Sequence, residues 1–415
     1  MIVEQLSLVD FRNYAAADVT LHAGANVFVG RNGQGKTNLA EAIGYFATLG
    51  SHRVSQDAPM VRDGADAAIV RARLAHGERR VILEAQLNRT GSNKARVNGS
   101  AVKSAELPRY AQVVLFAPED LQIVRGDPSA RRRFADQLLI QRAPRMAGVL
   151  ADYDRVLKQR TALLRSARAR GIRGDELTTL DVWDDKLVQL GTQVIRARLA
   201  LAADLAGPVA EAYETIAGAD HRPELEWALT VDGARSDDDG DDVSSRSAPS
   251  TTGDSVSNVE RASRASETKR HADTTTGIEQ RFRQTLAAKR AAELERGVTL
   301  VGPHRDDLIM RVRGLPVKGY ASHGESWSVA LSLRLASARL LREQSMLGDP
   351  VLILDDVFAE LDADRRSRLA GVVADFEQVI VTAAVEADVP DALRARTVYV
   401  EAGTIRESAA TGGAS

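Results

Sequence analysis

The chain of 415 residues is long enough for two or three domains of roughly 150 residues each. Hydrophobic residues make up 44% of it and aromatic residues only 4%, so Leu, Val, Ile and Ala must supply most of the core. The absence of cysteine excludes disulfides, thiolate metal sites, iron–sulfur clusters and cysteine nucleophiles. The formal net charge is −2, so any surface that binds nucleic acid has to be a local basic patch.

No targeting or membrane segment is predicted. Glu4, Asp10 and Arg12 interrupt the first apolar stretch, whereas a signal peptide needs an unbroken apolar core behind a basic leader. No apolar run approaches the ~18 residues that a membrane helix requires. We therefore expect a cytoplasmic protein without a membrane partner.

Strand and helix patterns divide the chain into a β-rich start, a helical middle and a β-rich end. Alternating apolar residues predict a strand over 2–11, and Asn98-Gly99 predicts a hairpin turn. Strands return after residue 296, where the continuously apolar run 351–354 predicts a parallel strand buried on both faces. The helical spacing of Leu and Ala predicts helices over 128–139, 146–170 and 180–206.

Residues 235–276 have a composition of their own. They contain no aromatic residue, Leu, Ile or Met, and a Ser/Thr-rich tract follows an acidic run. Such a segment cannot bury enough apolar surface to offset its ordering entropy, which predicts a disordered insertion. It is either a tolerated loop between two helices or an interaction segment. The predicted units are two halves of one domain at 1–125 and 297–408, a helical lobe at 126–296 and a flexible tail at 409–415.

A phosphate-binding loop is predicted near the N-terminus. The string Gly30-Arg31-Asn32-Gly33-Gln34-Gly35-Lys36-Thr37 matches G-x-x-x-x-G-K-[ST] at every fixed position. Glycines let backbone N–H groups turn toward phosphate oxygens, Lys36 reaches the β- and γ-phosphates, and the Thr37 hydroxyl binds Mg²⁺. An apolar strand precedes the loop, and a helix whose N-terminus favours an anion follows it. The pattern predicts that ATP and Mg²⁺ bind from Gly30 to Asn38.

Two carboxylates, Asp355 and Asp356, come directly after the apolar run 351–354. At the C-terminal edge of a sheet, Asp355 can hold Mg²⁺ through water. Asp356 can orient or deprotonate the attacking water, and because Asp is one methylene shorter than Glu, slow hydrolysis is expected. Lys36, Asp355 and Asp356 are therefore the predicted catalytic residues, and Thr37 and Asp355 are the predicted metal ligands.

Lys36 and Asp355 stand 319 residues apart in the chain. Small-molecule kinases and GTPases usually complete this pair within one compact domain, whereas a large insertion between the halves is typical of ABC-type heads. The predicted fold class is α/β: an ABC-type P-loop ATPase head assembled from N- and C-terminal segments, with an inserted helical second lobe.

A second anion-binding element is predicted just before the acid strand. Ser322 and Gly324 precede a predicted helix, and a helix N-terminus attracts anions. In ABC-type ATPases this signature acts in trans, because the Ser and helix end of one protomer cap the γ-phosphate held by the other. Glu325 takes the last signature position, and Glu360 and Asp362 fall in the loop predicted to cross the dimer interface. A plain helix cap also explains the serine.

A basic region is predicted to bind DNA. Residues 125–173 contain four acidic and thirteen basic residues, and most of the basic residues are Arg. Arg suits phosphate recognition. The predicted DNA contacts are Arg131, Arg132, Arg133, Arg155, Lys158 and Arg160, with Arg53 and Lys94 of the head as further candidates. Recognition of backbone and shape is expected, since no zinc finger or aromatic strip is present. The alternative is a solvated helix face.

These motifs, in this order, resemble the RecF family of bacterial DNA-repair ATPases, which is related to the SMC proteins. The most specific strings are Phe11-Arg12-Asn13-Tyr14 and Gly302-Pro303-His304-Arg305-Asp306-Asp307. The resemblance is carried by Leu8–Tyr14, Gly30–Asn38, Leu49–Arg53, Leu115–Leu121, Arg131–Phe134, Gly302–Leu308 and Leu354–Val357. It covers nearly the whole chain apart from 235–276.

The resemblance implies an ATP-dependent homodimer that binds DNA at single-strand gaps or as duplex. It implies work with mediators of the RecR and RecO type to load the recombinase RecA, and hence recombinational repair, replication restart and SOS induction. ATP hydrolysis would be weak and would act as a timer on the DNA-bound dimer.

Three features depart from the family pattern. Glu325 stands where the Ser-x-Gly-Gln signature has Gln, and the 235–276 insertion is not a general family feature. Ala383 and Ala384 follow the strand after which many ABC proteins place a sensor histidine, which leaves Thr382 as the candidate sensor. Glu119 is the candidate for the Q-loop position.

Two other functions are compatible with a phosphate loop. The chain could be the nucleotide-binding subunit of an ABC transporter, although the helical insertion, the Arg-rich lobe and the missing membrane-partner motif argue against it. It could also be an ATP-dependent scaffold for repair proteins, which differs from the first function only in lacking hydrolysis.

Overall fold

The structure is a computed structural model that describes residues 1–54, 56–171, 178–234, 275–345 and 348–407. Its strands are β1 (Ile2–Phe11), β2 (Tyr14–Thr20), β3 (Gly24–Val29), β4 (Ala67–His76), β5 (Arg79–Asn88), β6 (Lys94–Val97), β7 (Ser100–Val102), β8 (Val113–Phe116), β9 (Glu224–Ala228), β10 (Asp307–Val312), β11 (Leu315–Pro316), β12 (Val351–Asp355), β13 (Gln378–Ala383), β14 (Thr397–Glu401) and β15 (Thr404–Glu407). Its α-helices of five or more residues are α1 (Lys36–Thr48), α2 (Leu121–Arg125), α3 (Pro128–Arg142), α4 (Arg145–Ala169), α5 (Thr178–Ala217), α6 (Thr275–Arg296), α7 (His323–Gln344) and α8 (Ala363–Val373).

Two predictions fall on parts of the chain that are not described. The predicted insertion 235–276 lies outside the described residues except for Thr275 and Thr276, which begin α6 rather than a disordered segment. The predicted tail 409–415 lies outside them entirely.

The central sheet joins strands from both ends of the chain. Its order is β15-β14-β3-β13-β12-β8, and β14, β3, β13, β12 and β8 run parallel. β12 is buried at every residue, which confirms the prediction of a parallel strand covered on both faces. Because β3 and β8 come from the first 125 residues and β12 and β13 from the C-terminal part, neither end of the chain can complete this sheet alone.

The two faces of the central sheet belong to different cores. Successive side chains of a strand point to opposite faces, so Val351 and Ile353 of β12 pack under α1 and the antiparallel sheet β2-β1-β4-β5-β6-β7. Leu352 and Leu354 pack on the other side, in the core that contains α7 and the helical lobe. The head is therefore a layered α/β structure with α1 between its two large sheets.

The helical lobe is built from α3 to α6, but one strand lies within it. β9 pairs with β10 of the C-terminal part, and β11 completes a small antiparallel sheet. The predicted boundary at residue 296 therefore does not separate two packing units. β9 has only two large apolar residues, Leu225 and Trp227, which is a weak strand pattern. Among the described residues, no helix combines the length and apolar character needed to cross a membrane.

Candidate functional site

The phosphate-loop string joins β3 directly to α1. Gly35, immediately before α1, has φ 116°, a backbone conformation that favours glycine. Gly30 has no room for a side chain, because an added Cβ would lie 2.2 Å from the carbonyl oxygen of Val400. The loop borders a pocket of about 230 Å³ that is lined by Asn32, Gly33, Gly35, Lys36, Thr37, Asn38, Arg53 and Asp356. Most of the predicted nucleotide-binding residues are thus gathered around one concave space.

Lys36 is buried at the start of α1. Its Nζ donates a hydrogen bond of 3.3 Å to the carbonyl oxygen of Arg31 within the same loop. The ammonium group therefore lies over the loop and not in solvent. In this position it can contact a phosphate that binds in the pocket.

The predicted metal ligands Thr37 and Asp355 are in direct contact. Thr37 Oγ1 donates a hydrogen bond of 3.0 Å to Asp355 Oδ1, and Thr382 Oγ1 donates one of 2.6 Å to the same oxygen. Burial raises the pKa of Asp355, and the hydrogen bond from Thr382 acts in the opposite direction. The contact between Asp355 and Thr382 exists because β12 and β13 are neighbours in the sheet, with these two residues opposite each other.

This donor set suits a hard cation. A hydroxyl and a carboxylate, completed by phosphate oxygens and water, are the ligands that Mg²⁺ takes in phosphate-loop proteins. In the described part of the chain, no group of three or more His, Asp or Glu side chains could hold a metal by itself.

Asp356 lines the pocket beside these groups. Its φ of 52° is left-handed, and its N–H donates a hydrogen bond of 3.0 Å to Thr382 Oγ1. Thr382, the candidate sensor, therefore contacts both predicted catalytic carboxylate residues: its hydroxyl donates to Asp355 and accepts from Asp356.

A residue without a predicted role, His52, also reaches Asp355. Its Nε2 lies 3.8 Å from Asp355 Oδ2 and is buried with no hydrogen-bond partner among the described residues. The segment Leu49–Arg53 carries part of the family resemblance, but nothing in its composition assigned a role to the histidine. The only sequence feature that could have pointed to His52 is its place in Leu49–Arg53, one of the segments that resemble the family.

A charged network holds this segment against α1. Arg12 donates two hydrogen bonds, of 2.7 and 2.6 Å, to the carboxylate of Glu41, and Ser51 donates to the same carboxylate. Burial alone would raise the pKa of Glu41, but the hydrogen bonds from Arg12 and Ser51 outweigh it and the pKa is lowered. Arg53 is fixed by a bond of 3.0 Å from Nη1 to Asn38 Oδ1. The network holds His52 beside Asp355 and Arg53 at the rim of the pocket.

The Q-loop candidate Glu119 lies near this network. It lines a cavity of about 100 Å³ together with Glu41 and His52. Its neighbour Asp120 pairs with Arg334 of α7 at 2.6 Å. The 118–120 turn therefore lies between the segment that carries His52 and the signature helix, while the role of Glu119 stays a prediction.

The signature begins α7 as a complete capping box. Ser322 Oγ accepts a hydrogen bond of 3.2 Å from Glu325 N, and Glu325 Oε2 accepts one of 2.9 Å from Ser322 N. The carboxylate also pairs with Arg313. The bonds from Ser322 and the charge of Arg313 lower the pKa of Glu325. Ser322 is thus a helix cap in this structure, and its action in trans stays a prediction.

The predicted dimer loop lies beside the signature. Glu360 is exposed at the end of a short turn, and Asp362 caps α8 by accepting a hydrogen bond of 2.9 Å from Arg365 N. An added Cβ at Gly324 would lie 3.0 Å from Arg365 Nη1. The two elements that were predicted to face a partner protomer are therefore adjacent within one chain.

Two of the six predicted DNA contacts are corrected. Arg131 is 2% exposed and pairs with Asp307 at 2.6 Å. Arg160 is fully buried and pairs with Asp184 and Glu293, at 2.6 Å each. Both guanidinium groups are used inside the fold, where DNA cannot reach them. Their helical positions face the core, which a count of basic residues does not reveal.

The other four lie at or near the surface. Arg132 is half-buried and donates a hydrogen bond of 2.9 Å to the carbonyl oxygen of Asp306, and Arg133 is exposed. Arg155 and Lys158 are exposed on α4 and pair with acidic residues of the same helix. Such exposed pairs are worth ~0–1 kcal/mol, so these side chains can exchange partners easily.

The class of protein follows from how the site is assembled. The phosphate loop and the acid of β12 meet only because the two ends of the chain share a parallel sheet, with a helical lobe inserted between them. This is the ATPase head fold of the ABC and SMC type.

Comparisons with known proteins agree with this class. The family model described as "RecF/RecN/SMC N terminal domain" matches residues 2–406. The DNA replication and repair protein RecF of Leifsonia xyli subsp. xyli is 57% identical over 407 residues, which cover 98% of this chain and 100% of that protein. The protein of the same name from Clavibacter sepedonicus is 55% identical over 410 residues, which cover 98% and 95% of the two chains. The chain therefore belongs to the RecF/RecN/SMC family and, within it, to the RecF proteins.

A solved structure shows the same fold. It is described as the recombination mediator protein RecF-ATPrS in the RecFOR pathway. Its TM-score against this chain is 0.80 at 24% sequence identity, with 98% of each chain covered. The predicted fold class is thereby confirmed.

Proposed function

We propose that this chain is an ATP-dependent, dimeric DNA-binding protein of recombinational repair and replication restart. It binds DNA near single-strand gaps, works with mediators of the RecR and RecO type, and helps to load a RecA-type recombinase in the cytoplasm. Slow ATP hydrolysis limits the lifetime of the DNA-bound dimer. The relatives named as DNA replication and repair proteins, at more than half identity over nearly the full length, support this proposal.

The observation that carries the ATPase function is the 3.0 Å contact between Thr37 and Asp355. These two residues would hold Mg²⁺, which neutralises charge on the β- and γ-phosphates. Lys36 would bind the same phosphates, and the loop N–H groups would surround them. Asp356 would accept a proton from, or orient, the attacking water.

Dimerisation would complete the site from the other protomer. The capping box leaves Ser322 at the N-terminus of a 22-residue helix, whose dipole favours negative charge. Pairing with Arg313 offsets the charge of Glu325, so the carboxylate does not oppose an incoming phosphate as strongly as a free one would. ATP would thus join two heads through the loop of one and the signature of its partner.

A binding experiment tests the proposal. Fluorescence anisotropy of gapped and duplex DNA would be measured with Mg-ATP, with ADP and without nucleotide, for the wild type, Lys36→Met and Ser322→Arg. We expect tight, salt-sensitive binding only with ATP, and its loss in both variants. DNA binding that is absent or indifferent to ATP would contradict the proposal and favour a scaffold.

The scaffold alternative differs in hydrolysis alone. Asp356→Asn should leave ATP binding and dimerisation intact while abolishing phosphate release, because the amide cannot accept the proton of the attacking water. Equal turnover of the wild type and this variant would remove the catalytic role of Asp356. A wild type that binds ATP and dimerises without releasing phosphate would support the scaffold.

A further inference from the structure

Gln34 lies in the phosphate loop but turns away from its pocket. The residues on both sides of it line the pocket, whereas the Gln34 side chain reaches the turn between β14 and β15. Its Oε1 accepts a hydrogen bond of 2.5 Å from Ala402 N. Its backbone carbonyl oxygen accepts two more, of 3.2 Å from Gly403 N and of 2.9 Å from Asn13 Nδ2. Both acceptors of this one residue are thus held by groups outside the loop.

This anchoring has a consequence for the groups that face the pocket. In a trans peptide, the carbonyl and the N–H point to opposite sides. Holding the Gln34 carbonyl outward therefore directs the Gly35 N–H toward the other side of the chain, where the pocket lies. One peptide further on, the carbonyl oxygen of Gly35 accepts hydrogen bonds from Asn38 N and Leu39 N of α1, and the Tyr14 hydroxyl adds one of 3.1 Å from outside the loop.

We propose that the turn between β14 and β15, together with Asn13 and Tyr14, is a positioning element that presets the phosphate loop for nucleotide phosphates. This inference rests on the proposed nucleotide-binding function and adds residues to it. Donors that are already oriented cost less to order when a ligand binds. The C-terminal hairpin would thus contribute to nucleotide affinity without touching the nucleotide.

The fit between turn and loop is close. Ala402 and Gly403 have φ values of 48° and 74°, the pair of left-handed residues of a type I′ hairpin turn. An added Cβ on Gly403 would lie 3.0 Å from the carbonyl oxygen of Asn13. A side chain there would displace either Asn13 or the turn, and with it the donors to Gln34.

The chain contains a matched control for this turn. Asn98 and Gly99 form the hairpin turn between β6 and β7 with φ values of 50° and 82°. An added Cβ on Gly99 meets no atom within 4 Å among the described residues. Gly99→Ala therefore carries the same kind of backbone strain as Gly403→Ala, but it has no contact to disturb.

The experiment compares Gly403→Ala and Gly99→Ala with the wild type by isothermal titration calorimetry. We expect Gly403→Ala to lower the affinities for ATP and for ADP by about tenfold each, because the loop holds phosphates that both nucleotides share. Gly99→Ala should bind both nucleotides as the wild type does. Equal affinities of the two variants would overturn the positioning role.

Two further measurements keep the outcome clear. Gln34→Met keeps the side-chain length but removes the acceptor for Ala402, and it should also weaken ATP and ADP binding together, with an unchanged melting temperature of the nucleotide-free protein. A lower melting temperature with unchanged nucleotide affinity would overturn the inference, since it would show a role in stability alone. A wild type that binds no ATP would instead overturn the proposed function.

Discussion

At the scale of single residues, Thr382 is the side chain that contacts both predicted catalytic acids. Its buried hydroxyl donates to Asp355 and accepts from the Asp356 N–H, so it fixes the two acids relative to each other. Thr382→Val removes both bonds, and a hydrogen bond to a charged group is worth about 1.5–3 kcal/mol. We expect phosphate release to fall about ten- to hundredfold with a smaller change in ATP affinity. Thr382→Ser, which keeps the hydroxyl, is the control. Equal turnover of Thr382→Val and the wild type would contradict the proposal that Thr382 positions the two acids.

Asp306 should make stability depend on pH. It is fully buried; burial raises its pKa to about 6, although hydrogen bonds from the Thr230 N–H and hydroxyl favour the charged form. The folded pKa exceeds the unfolded value of ~3.9, so the folded state binds the proton more tightly and gains stability as the pH falls through 6 toward 4. Between pH 7.5 and 4.5, chemical denaturation should show the wild type gaining about 2 kcal/mol relative to Asp306→Asn. Parallel pH profiles of the two proteins would contradict this.

At the scale of elements, Arg160 of α4 connects this helix to α5, to α6 and to the segment that follows α6. It pairs with Asp184 of α5 and Glu293 of α6 from its place on α4, and its Nη1 donates to Thr299 at 2.9 Å. Removing one partner of a buried pair leaves the other charge uncompensated and costs about 3–5 kcal/mol. Arg160→Met should therefore lower the free energy of unfolding by that amount, measured by denaturant titration.

The same variant checks the correction of the predicted DNA surface. Arg160→Met should leave the salt dependence of DNA binding unchanged in conditions where the protein stays folded, because the side chain is not accessible. Arg155→Met, on the exposed face of the same helix, is the matched control and should leave stability nearly unchanged. A weaker salt dependence in Arg160→Met without loss of stability would restore Arg160 as a DNA contact.

At the scale of the whole molecule, the net charge of −2 means that DNA must find a local basic surface. Arg155 and Lys158 are 72% and 75% exposed and are candidates for phosphate contacts. Each lost contact changes the slope of log K against log salt by roughly 0.9, so Arg155→Ala/Lys158→Ala should reduce it by about 1–2 in the ATP-bound state. Arg406→Ala, equally exposed on β15, should leave it unchanged; an equal effect of both would place the DNA elsewhere.

The sequence predicted those features that are encoded in consecutive residues, and it missed features that depend on contacts between distant residues. The phosphate loop, the apolar strand 351–354 and the hairpin at Asn98-Gly99 were predicted because each is written in consecutive residues. β9 was missed because five residues with two large apolar side chains make a weak pattern that only its pairing with β10 stabilises. Arg131 and Arg160 were misassigned because charge was counted along the chain, whereas burial depends on which helical face meets the core.

The sequence by itself predicted the class of the protein, because the phosphate loop, the signature and the acid strand are each written in consecutive residues and follow one another in a recognisable order. Only the tertiary structure decided what surrounds them. Thr382 and the turn at Ala402 and Gly403 reach the phosphate loop from distant positions in the chain, and His52 meets the distant residue Asp355. They do so because parallel strands from both ends of the chain lie side by side in one sheet, and this juxtaposition arises from long-range packing rather than from any local pattern.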